Sequence, residues 1–451
     1  MTRVSRVSRG QLLLLLVLLS SVVLFGLESG PRDGASPESR KSPDDVSLKT
    51  VHDGGTTALW PYTSRAQRFE SLTLPVNVVV REDPDLVRAM LTRELSGSDV
   101  DEQSDDALPS LGEVPWRPTH GATRYTYVRN LDDGSGQWAD EYSQLHVGTY
   151  LGTRQHVRLY RVPAKGGTVT AIQAHREHWD WFRLRHTVGS TSAGQVFVER
   201  QFYGARQVQK VTRERYGNGG ILDADGWVTV VNIWQERTPP AGVADDGSTG
   251  PSSVDPREAG SGEAVPLGSF GVVTGTVAVV GLAASNVGDL QKEASDALER
   301  LRADWSVTRN HILLFASLAA LPLVVRAGAV AIEETGIITN PKHIAGVFYP
   351  LLVLGLPLCA YRFAADLGFA ESALIAVLGF GTGIVADYTY IGIAFVPREI
   401  LVQRLVLALT LGIVAAAGSV RLERRWRENE LLAAGAVCWA AAVVWPLLSL
   451  L

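Results

Sequence analysis

The stretch HILLFASLAALPLVVRAGAVA, residues 311–331, decides the fold class of this chain of 451 residues. Its length matches the roughly 20 apolar residues with which a helix crosses a lipid bilayer. Arg326 is the one arginine that interrupts it. Four further apolar stretches follow, at 345–363, 372–396, 400–420 and 431–450. The C-terminal part of the chain is therefore predicted to be an all-α bundle of transmembrane helices, in contact with the lipid bilayer.

The stretch 264–288 affects how many times the chain crosses the membrane. It carries no charged residue, but its Gly, Thr and Val content favours a helix only weakly, so a span and a buried hairpin are both compatible with it. The sequence RLERRWRE (421–428) has four arginines and is expected in the cytoplasm. That orientation, with the polar region before the bundle outside, requires 264–288 to span. We therefore predict a bundle of about six helices over 264–451.

The N-terminal residues 1–27 combine an arginine-containing flank with the apolar run QLLLLLVLLSSVVLFGL. This pattern predicts a signal anchor, that is, a transmembrane helix, with a cleaved signal peptide as the alternative. Either outcome exports the following region, and a retained anchor gives seven spans in all. The competing topology has a first run that does not cross, which leaves the polar region in the cytoplasm.

The polar middle of the chain has the composition of one compact domain between two flexible segments. Residues 28–58 and 238–263 are rich in Gly, Pro, Ser and charge, which indicates a tether and a linker. The region 59–237 between them has a usual domain size. It contains a predicted helix at 83–95 and several strand-like runs. These runs are 74–80, 123–128, 156–162, 168–174 and 227–234. The predicted fold class is an α+β extracytoplasmic domain fused to an all-α transmembrane helix bundle.

Composition excludes some functional classes. The net charge of −5 argues against a nucleic-acid partner. Cys359 and Cys438 both lie in apolar C-terminal runs, so the polar domain has no cysteine for a disulfide, a zinc ribbon or a nucleophile.

The stretch HREHWDWFRLRH, residues 175–186, concentrates three histidines and two tryptophans. A helix would align the three histidines on one side, whereas a strand would alternate them with the aromatic residues. The alternation and the β-favouring aromatics predict a strand over about 179–188, with Trp179 and Trp181 on one face and Phe182 and His186 on the other. With a strand here, His175 and His178 do not form the metal-binding pair that a helix would present.

A divalent metal bound by neutral histidines with Asp180 or Glu199 is one hypothesis for this region, because metal ions in proteins need three or four converging ligands. His175, His178 and Asp180 are the weaker candidates. Clustered arginines also suit a small-molecule or anionic ligand. The alternative is a set of polar side chains on a sheet face, stacked against tryptophan.

Within the predicted bundle, Asp387 lies well inside an apolar span, where a carboxylate is a candidate for function. Arg326 and Arg404 are its candidate partners. The two interpretations are a polar contact that holds the bundle together and, less favoured, part of a transport path.

The runs GTRQHVRLYRV (152–162), LPVNVVV and the spacing of His186 from Glu199 and Arg200 resemble the LssY C-terminal domain family over about residues 70–210. The sequence departs from the family pattern at two places. HREHWDW stands where a simpler strand end is expected, and Val198 stands before Glu199 where the family usually has Asp. The resemblance implies one compact domain and a shared constellation, without implying a reaction. Its members are Arg154, His156, His186, Glu199 and Arg200.

These observations predict a multi-pass protein of the cell membrane whose extracytoplasmic domain binds a ligand or serves as a scaffold at the envelope. A membrane-bound hydrolase using the His/Arg/Glu cluster, with a divalent metal as cofactor, is the alternative. Transport through Asp387 ranks third.

Overall fold

A computed structural model describes two regions of the chain, one rich in strands and one helical. The described ranges are 48–51, 55–96, 116–118, 124–164, 167–203, 205–233, 308–393, 396–421 and 430–448. The predictions for 1–27, 238–263 and 264–288 fall outside these ranges.

The strand-rich region forms one curled sheet whose spatial order is β1-β2-β7-β8-β9-β10-β5-β13-β12, with β3, β4, β6 and β11 attached beside this path. Its neighbours pair antiparallel, apart from the parallel pair β5 and β13. The strands are β1 (Lys49–Thr50), β2 (Thr57–Leu59), β3 (Tyr62–Ser64), β4 (Leu72–Pro75), β5 (Val78–Val80), β6 (Arg117–Pro118), β7 (Tyr125–Asn130), β8 (Gly136–Gly148), β9 (Thr153–Ala164), β10 (Gly167–Asp180), β11 (Arg185–Ser190), β12 (Val208–Arg215) and β13 (Trp227–Ile233).

Two helices, α1 (Pro84–Ser96) and α2 (Ser192–Phe202), pack on one face of this sheet. Alternation along the strands explains the packing, because successive side chains point to opposite faces. On β10, Ile172 and Ala174 join the core beneath the helices, whereas Ala171 belongs to a second apolar core on the other face. The residues that follow Ala171 at every second position lie on that other face, and they carry the polar cluster described below.

The predicted elements of the domain are largely confirmed. The helix at 83–95 is α1, and the runs at 123–128, 156–162, 168–174 and 227–234 lie in or overlap β7, β9, β10 and β13. The run 74–80 divides into the end of β4 and β5. The sheet also begins earlier than residue 59, since β1 and the first two residues of β2 fall within the stretch assigned to a tether.

Five helices in the C-terminal region are each long and apolar enough to cross a membrane. They match the five predicted spans, and all have between 19 and 26 residues. They are α3 (Arg309–Glu334), α4 (Pro341–Phe363), α5 (Phe369–Tyr390), α6 (Arg398–Ser419) and α7 (Glu430–Leu448). The α+β domain is thus fused to a bundle of membrane-type helices, and the chain is a multi-pass membrane protein.

The predicted strand over 179–188 is wrong, because the chain reverses there. β10 ends at Asp180 and β11 begins at Arg185, and the two pair as an antiparallel hairpin. The Asp180 carboxylate accepts a hydrogen bond from the Phe182 backbone at 3.0 Å, which is an Asx turn. Leu184 completes the reversal with a φ of 47°.

The tip of this hairpin, defined here as residues 179–184, is buried in the helix bundle. Trp179, Trp181 and Phe182 belong to the same apolar core as the helices. The Phe182 ring meets Phe380 of α5 edge-on, with ring centroids 5.9 Å apart. Burial of these aromatic rings against the helices fixes the sheet domain to the bundle.

Candidate functional site

Three histidines form a row across the sheet face that α1 and α2 leave uncovered. His146 on β8 lies directly opposite His156 on β9, and His156 lies directly opposite His175 on β10. Directly opposed residues of antiparallel strands project to the same face and touch. The His146 and His156 rings accordingly lie 4.0 Å apart between centroids, and those of His156 and His175 lie 4.9 Å apart.

A buried carboxylate, Glu177, lies beside this row. Its side chain is on the same face as His175, two positions along β10, and the residue is 6% exposed. Arg154 lies opposite it on β9 and donates from Nε to Glu177 Oε1 at 2.6 Å. One carboxylate oxygen is therefore held by a guanidinium, and the other faces the histidines.

His175 fixes the orientation of that second oxygen. The side-chain amide of Gln173 donates to His175 Nδ1 at 2.9 Å. The Nε2–H of the same ring then donates to Glu177 Oε2 at 3.1 Å. His175 is 2% exposed, so this chain of hydrogen bonds is sheltered from water.

His156 is arranged differently, because one of its ring nitrogens has no partner. Its Nε2–H donates to Gln144 Oε1 at 3.1 Å, which leaves a lone pair on Nδ1. This Nδ1 is buried and forms no hydrogen bond with the described residues. It lies 3.7 Å from Glu177 Oε2. His156 Nδ1 is thus a buried acceptor without a donor, which costs free energy. It faces a carboxylate oxygen whose one donor among the described residues is His175, so a cation between the two would satisfy the nitrogen.

The protonation states of the cluster suit a cation. Burial lowers the pKa of His156 and of His175, and burial together with the charge of Arg154 lowers the pKa of His146 to about 3. Burial works to raise the pKa of Glu177, but the imidazoles of His156 and His175 more than offset it, and the pKa lies well below its usual range. At neutral pH the histidines are neutral and the glutamate is ionised, as metal ligands must be.

The distances also suit a metal ion. One nitrogen each of His146 and His156 and one oxygen of Glu177 lie within 4.8 Å of one another. Zinc binds histidine nitrogen and carboxylate oxygen at about 2.0–2.2 Å, so two ligand atoms of one tetrahedral ion are about 3.3–3.6 Å apart. Small side-chain movements would bring all three onto one ion.

The structure brings together three of the five residues of the predicted constellation. Arg154 and His156 belong to the cluster just described, and His186 Nδ1 lies 3.4 Å from Arg154 Nη2. The other two, Glu199 and Arg200, lie on α2, on the opposite face of the sheet. Glu199 there accepts hydrogen bonds from Arg213, Thr229 and Tyr203.

Sequence reasoning missed His146 and Glu177 as members of this cluster. The sequence KGG, residues 165–167, is typical of a tight hairpin, and a hairpin there would have predicted which histidines lie opposite each other. The observed pair Ala164 and Gly167 extends residue by residue to His156 opposite His175. Extending the register to β8 is what adds His146.

The remaining candidates belong to the contact between hairpin and bundle. His178 points to the other face of β10, and its ring lies 5.9 Å from that of Tyr388 on α5. Asp180, which is 2% exposed, pairs with Arg404 of α6. The Arg404 guanidinium also lies over the Phe182 ring, 4.6 Å from its centroid.

Arg326 and Asp387 form a second buried ion pair, between α3 and α5. Arg326 donates from Nε and Nη2 to the two Asp387 oxygens at 2.7 and 2.9 Å. Its Nη1 donates to the backbone oxygens of Leu151 and Trp179, both at 2.8 Å. The arginine therefore joins two helices to two strand ends. A cavity of about 10 Å³ lies beside both ion pairs, with room for about one water molecule.

Glu333 and Arg176 also join the sheet domain to the helices. The Glu333 carboxylate on α3 accepts hydrogen bonds from the backbone of Tyr150 and of Leu151, the latter at 2.8 Å. Arg176 of β10 donates to the Ile391 carbonyl, just after α5, at 2.9 Å. His186 reaches the same loop, since its Nε2 donates to Tyr150 O at 2.9 Å.

Comparison of the chain with protein-family models, with curated proteins and with solved structures finds no match.

Proposed function

We propose that this multi-pass membrane protein binds a divalent transition-metal ion on its sheet domain, through His146, His156 and Glu177. The observation that carries the proposal is His156 Nδ1, a buried acceptor without a donor among the described residues, which lies 3.7 Å from Glu177 Oε2. A bound cation would satisfy this nitrogen and contact the ionised carboxylate.

The donor set defines the class of metal. Two imidazoles and one carboxylate suit zinc, cobalt, nickel or copper, whereas calcium and magnesium favour oxygen ligands. The surroundings resemble those that support metal ligands in general. Arg154 holds the far oxygen of Glu177, Gln144 holds the far nitrogen of His156, and His175 orients the carboxylate.

The resemblance to the LssY C-terminal domain family remains a prediction. It shares Arg154 and His156 with the proposed site, whereas His146 and Glu177 lie outside its motifs.

We infer that the site faces the extracytoplasmic side. The sheet domain contacts Gln403 and Arg404, near the start of α6. The arginine-rich sequence 421–428 follows the other end of that helix, roughly 25 Å away at 1.5 Å per residue. Because arginine-rich loops stay in the cytoplasm, the sheet domain would lie outside. A reporter inserted within 240–260 should then be accessible from outside the cell, and a cytoplasmic signal would contradict this orientation.

Metal-dependent hydrolysis is a second candidate function. Two histidines and a glutamate are a donor set of catalytic zinc sites, which keep a fourth position for water. When bound there, the metal would lower the pKa of that water and supply a nucleophile. The geometry supports metal binding, with ligand capture at the envelope, ahead of hydrolysis.

The test is metal content of the full-length protein, purified in detergent after exposure to zinc or cobalt. We expect about one ion per chain and a complete loss in Glu177→Gln, which keeps the shape of the side chain but not its charge. Glu214→Gln is the matched control, because Glu214 makes only a half-exposed ion pair with Arg81. Well-folded wild-type protein without metal would refute the proposal.

A further inference from the structure

We propose that the open coordination position of this metal takes a phosphate-type oxyanion, held by Arg117, Arg154 and Arg158. The inference rests on the proposed metal site, since the metal supplies one of the contacts.

Among the described residues, the site is open on the β8 side. His156 and Glu177 are buried, but His146 is only partly buried and ends the histidine row toward the edge of the sheet. Three protein donors leave a tetrahedral ion with one free position. A ligand would therefore reach the metal past His146.

Arginines flank the histidine row on both sides. Arg117 on β6 lies directly opposite Gln144 of β8, and Arg158 on β9 lies opposite the same Gln144, so all three share the face of the histidines. Arg117, Gln144 and Arg158 lie two residues along the strands from the histidine row. Arg154 borders the histidines on the other side, opposite Glu177.

Charge in this area favours an anion once the metal is present. The metal and the three arginines outweigh Glu177 and Glu141, the acidic residues that strands β8 to β10 carry on this face. Arg158 Nε is buried and lies 3.7 Å from Glu141 Oε1, beyond a hydrogen bond, and Nε has no acceptor among the described residues. Guanidinium groups bind phosphate oxygens with paired donors, which suits a tetrahedral oxyanion better than a chloride ion.

The phosphate group has two sources with the same chemistry. A free phosphate or phosphate ester would approach from solution. A phospholipid headgroup is also within reach, because Trp179 of the docked tip is two residues from Glu177, about 7 Å along the strand.

The experiment titrates inorganic phosphate into the full-length, cobalt-loaded protein in detergent and follows the visible absorption of the cobalt ion. We expect a saturable spectral change, with a dissociation constant at least about 10-fold higher in Arg117→Gln and cobalt affinity unchanged. Arg206→Gln is the control, because Arg206 is exposed beside Arg93 and Glu94, away from the site.

The outcomes separate the two proposals. Cobalt binding with a spectrum that phosphate does not alter would overturn the oxyanion site and leave the metal site standing. A failure to bind cobalt would refute the metal site itself. Equal phosphate affinity with and without cobalt, measured by titration calorimetry, would also overturn the inference, since the arginines would then act alone.

Nanodiscs distinguish the two sources. With phosphatidylcholine alone, the spectrum should match that in detergent and respond to added phosphate. If a lipid phosphomonoester occupies the site, phosphatidic acid in the disc should reproduce the spectral change without added phosphate. If phosphatidic acid leaves the spectrum unchanged while free phosphate alters it, the ligand comes from solution.

Discussion

The contact between hairpin and bundle and the histidine row are both buried polar sets that involve β10, only a few residues apart, and they differ in how their polar groups are paired. In the contact, Arg326 meets Asp387 and Arg404 meets Asp180, which gives two buried ion pairs. In the row, Arg154 meets Glu177, but His156 Nδ1 faces the same carboxylate without a donor of its own among the described residues. Buried ion pairs fix one arrangement of packed elements, whereas a buried acceptor without a donor beside a carboxylate leaves a place for a cation.

The largest effect is expected from breaking a matched pair. Arg326→Met leaves Asp387 buried without its cation and removes a donor from two backbone carbonyls. We expect a loss of about 3–5 kcal/mol in the free energy of unfolding, measured by denaturation in detergent. The double variant with Asp387→Leu should recover most of the loss. If Arg326→Met alone were neutral, the pair would not hold the bundle.

The apolar part of the same contact should matter nearly as much. Phe182→Ala removes a buried ring from between Phe380 and Trp439. The expected loss is about 3 kcal/mol, from lost burial and the cavity left behind. Leu131→Ala serves as the control, because Leu131 is 50% exposed in a turn of the sheet domain. An equal effect of the two substitutions would argue against docking of the tip.

Substitutions in the histidine row should change metal affinity rather than the free energy of unfolding. His175→Gln removes the Nε2–H that orients Glu177, while the three proposed ligand residues stay in the sequence. We expect the dissociation constant for cobalt to rise about 10- to 100-fold, with the metal spectrum broadened by a less fixed carboxylate. His343→Gln, an exposed change at the start of α4, should have no effect. Unchanged affinity in His175→Gln would mean that Arg154 alone orients Glu177.

The smallest effect is expected at the outer part of the contact, where two adjacent glutamates give a direct test. Glu333→Gln weakens two hydrogen bonds to the backbone of Tyr150 and Leu151, and about 1–2 kcal/mol should be lost. Glu334→Gln changes the same charge one position away, on an exposed side chain, and should be neutral. Similar melting temperatures for both variants would exclude a specific role of Glu333.

The helices were predictable because long apolar runs are sufficient evidence by themselves, and α3 to α7 match the expected spans. Strands β9 and β10 were predicted from the local alternation of apolar and polar residues. The hairpin turn did not, because an Asx turn at Asp180 leaves the alternating aromatic pattern intact. Alternation describes a strand in isolation, and it carries no information about rings that pack between helices more than a hundred residues later.

The site depended on a different kind of information. Arg154, His156 and His186 stood out as polar residues in strand-like sequence, and they do lie together. His146 and Glu177 could be assigned to the site only from the pairing of β8, β9 and β10. Glu199 was grouped with the histidines because of its spacing, but α2 carries it to the other face. Sequence spacing does not show which side of a sheet a residue occupies once a helix intervenes.

The docked tip also has a consequence for how the protein is made. Trp179 leaves the ribosome 147 residues before Arg326, which later binds its carbonyl oxygen. At roughly 5–20 residues per second, the sheet domain waits roughly 7–30 s with its aromatic tip exposed. We expect this tip to need shielding during biosynthesis until the helices assemble around it.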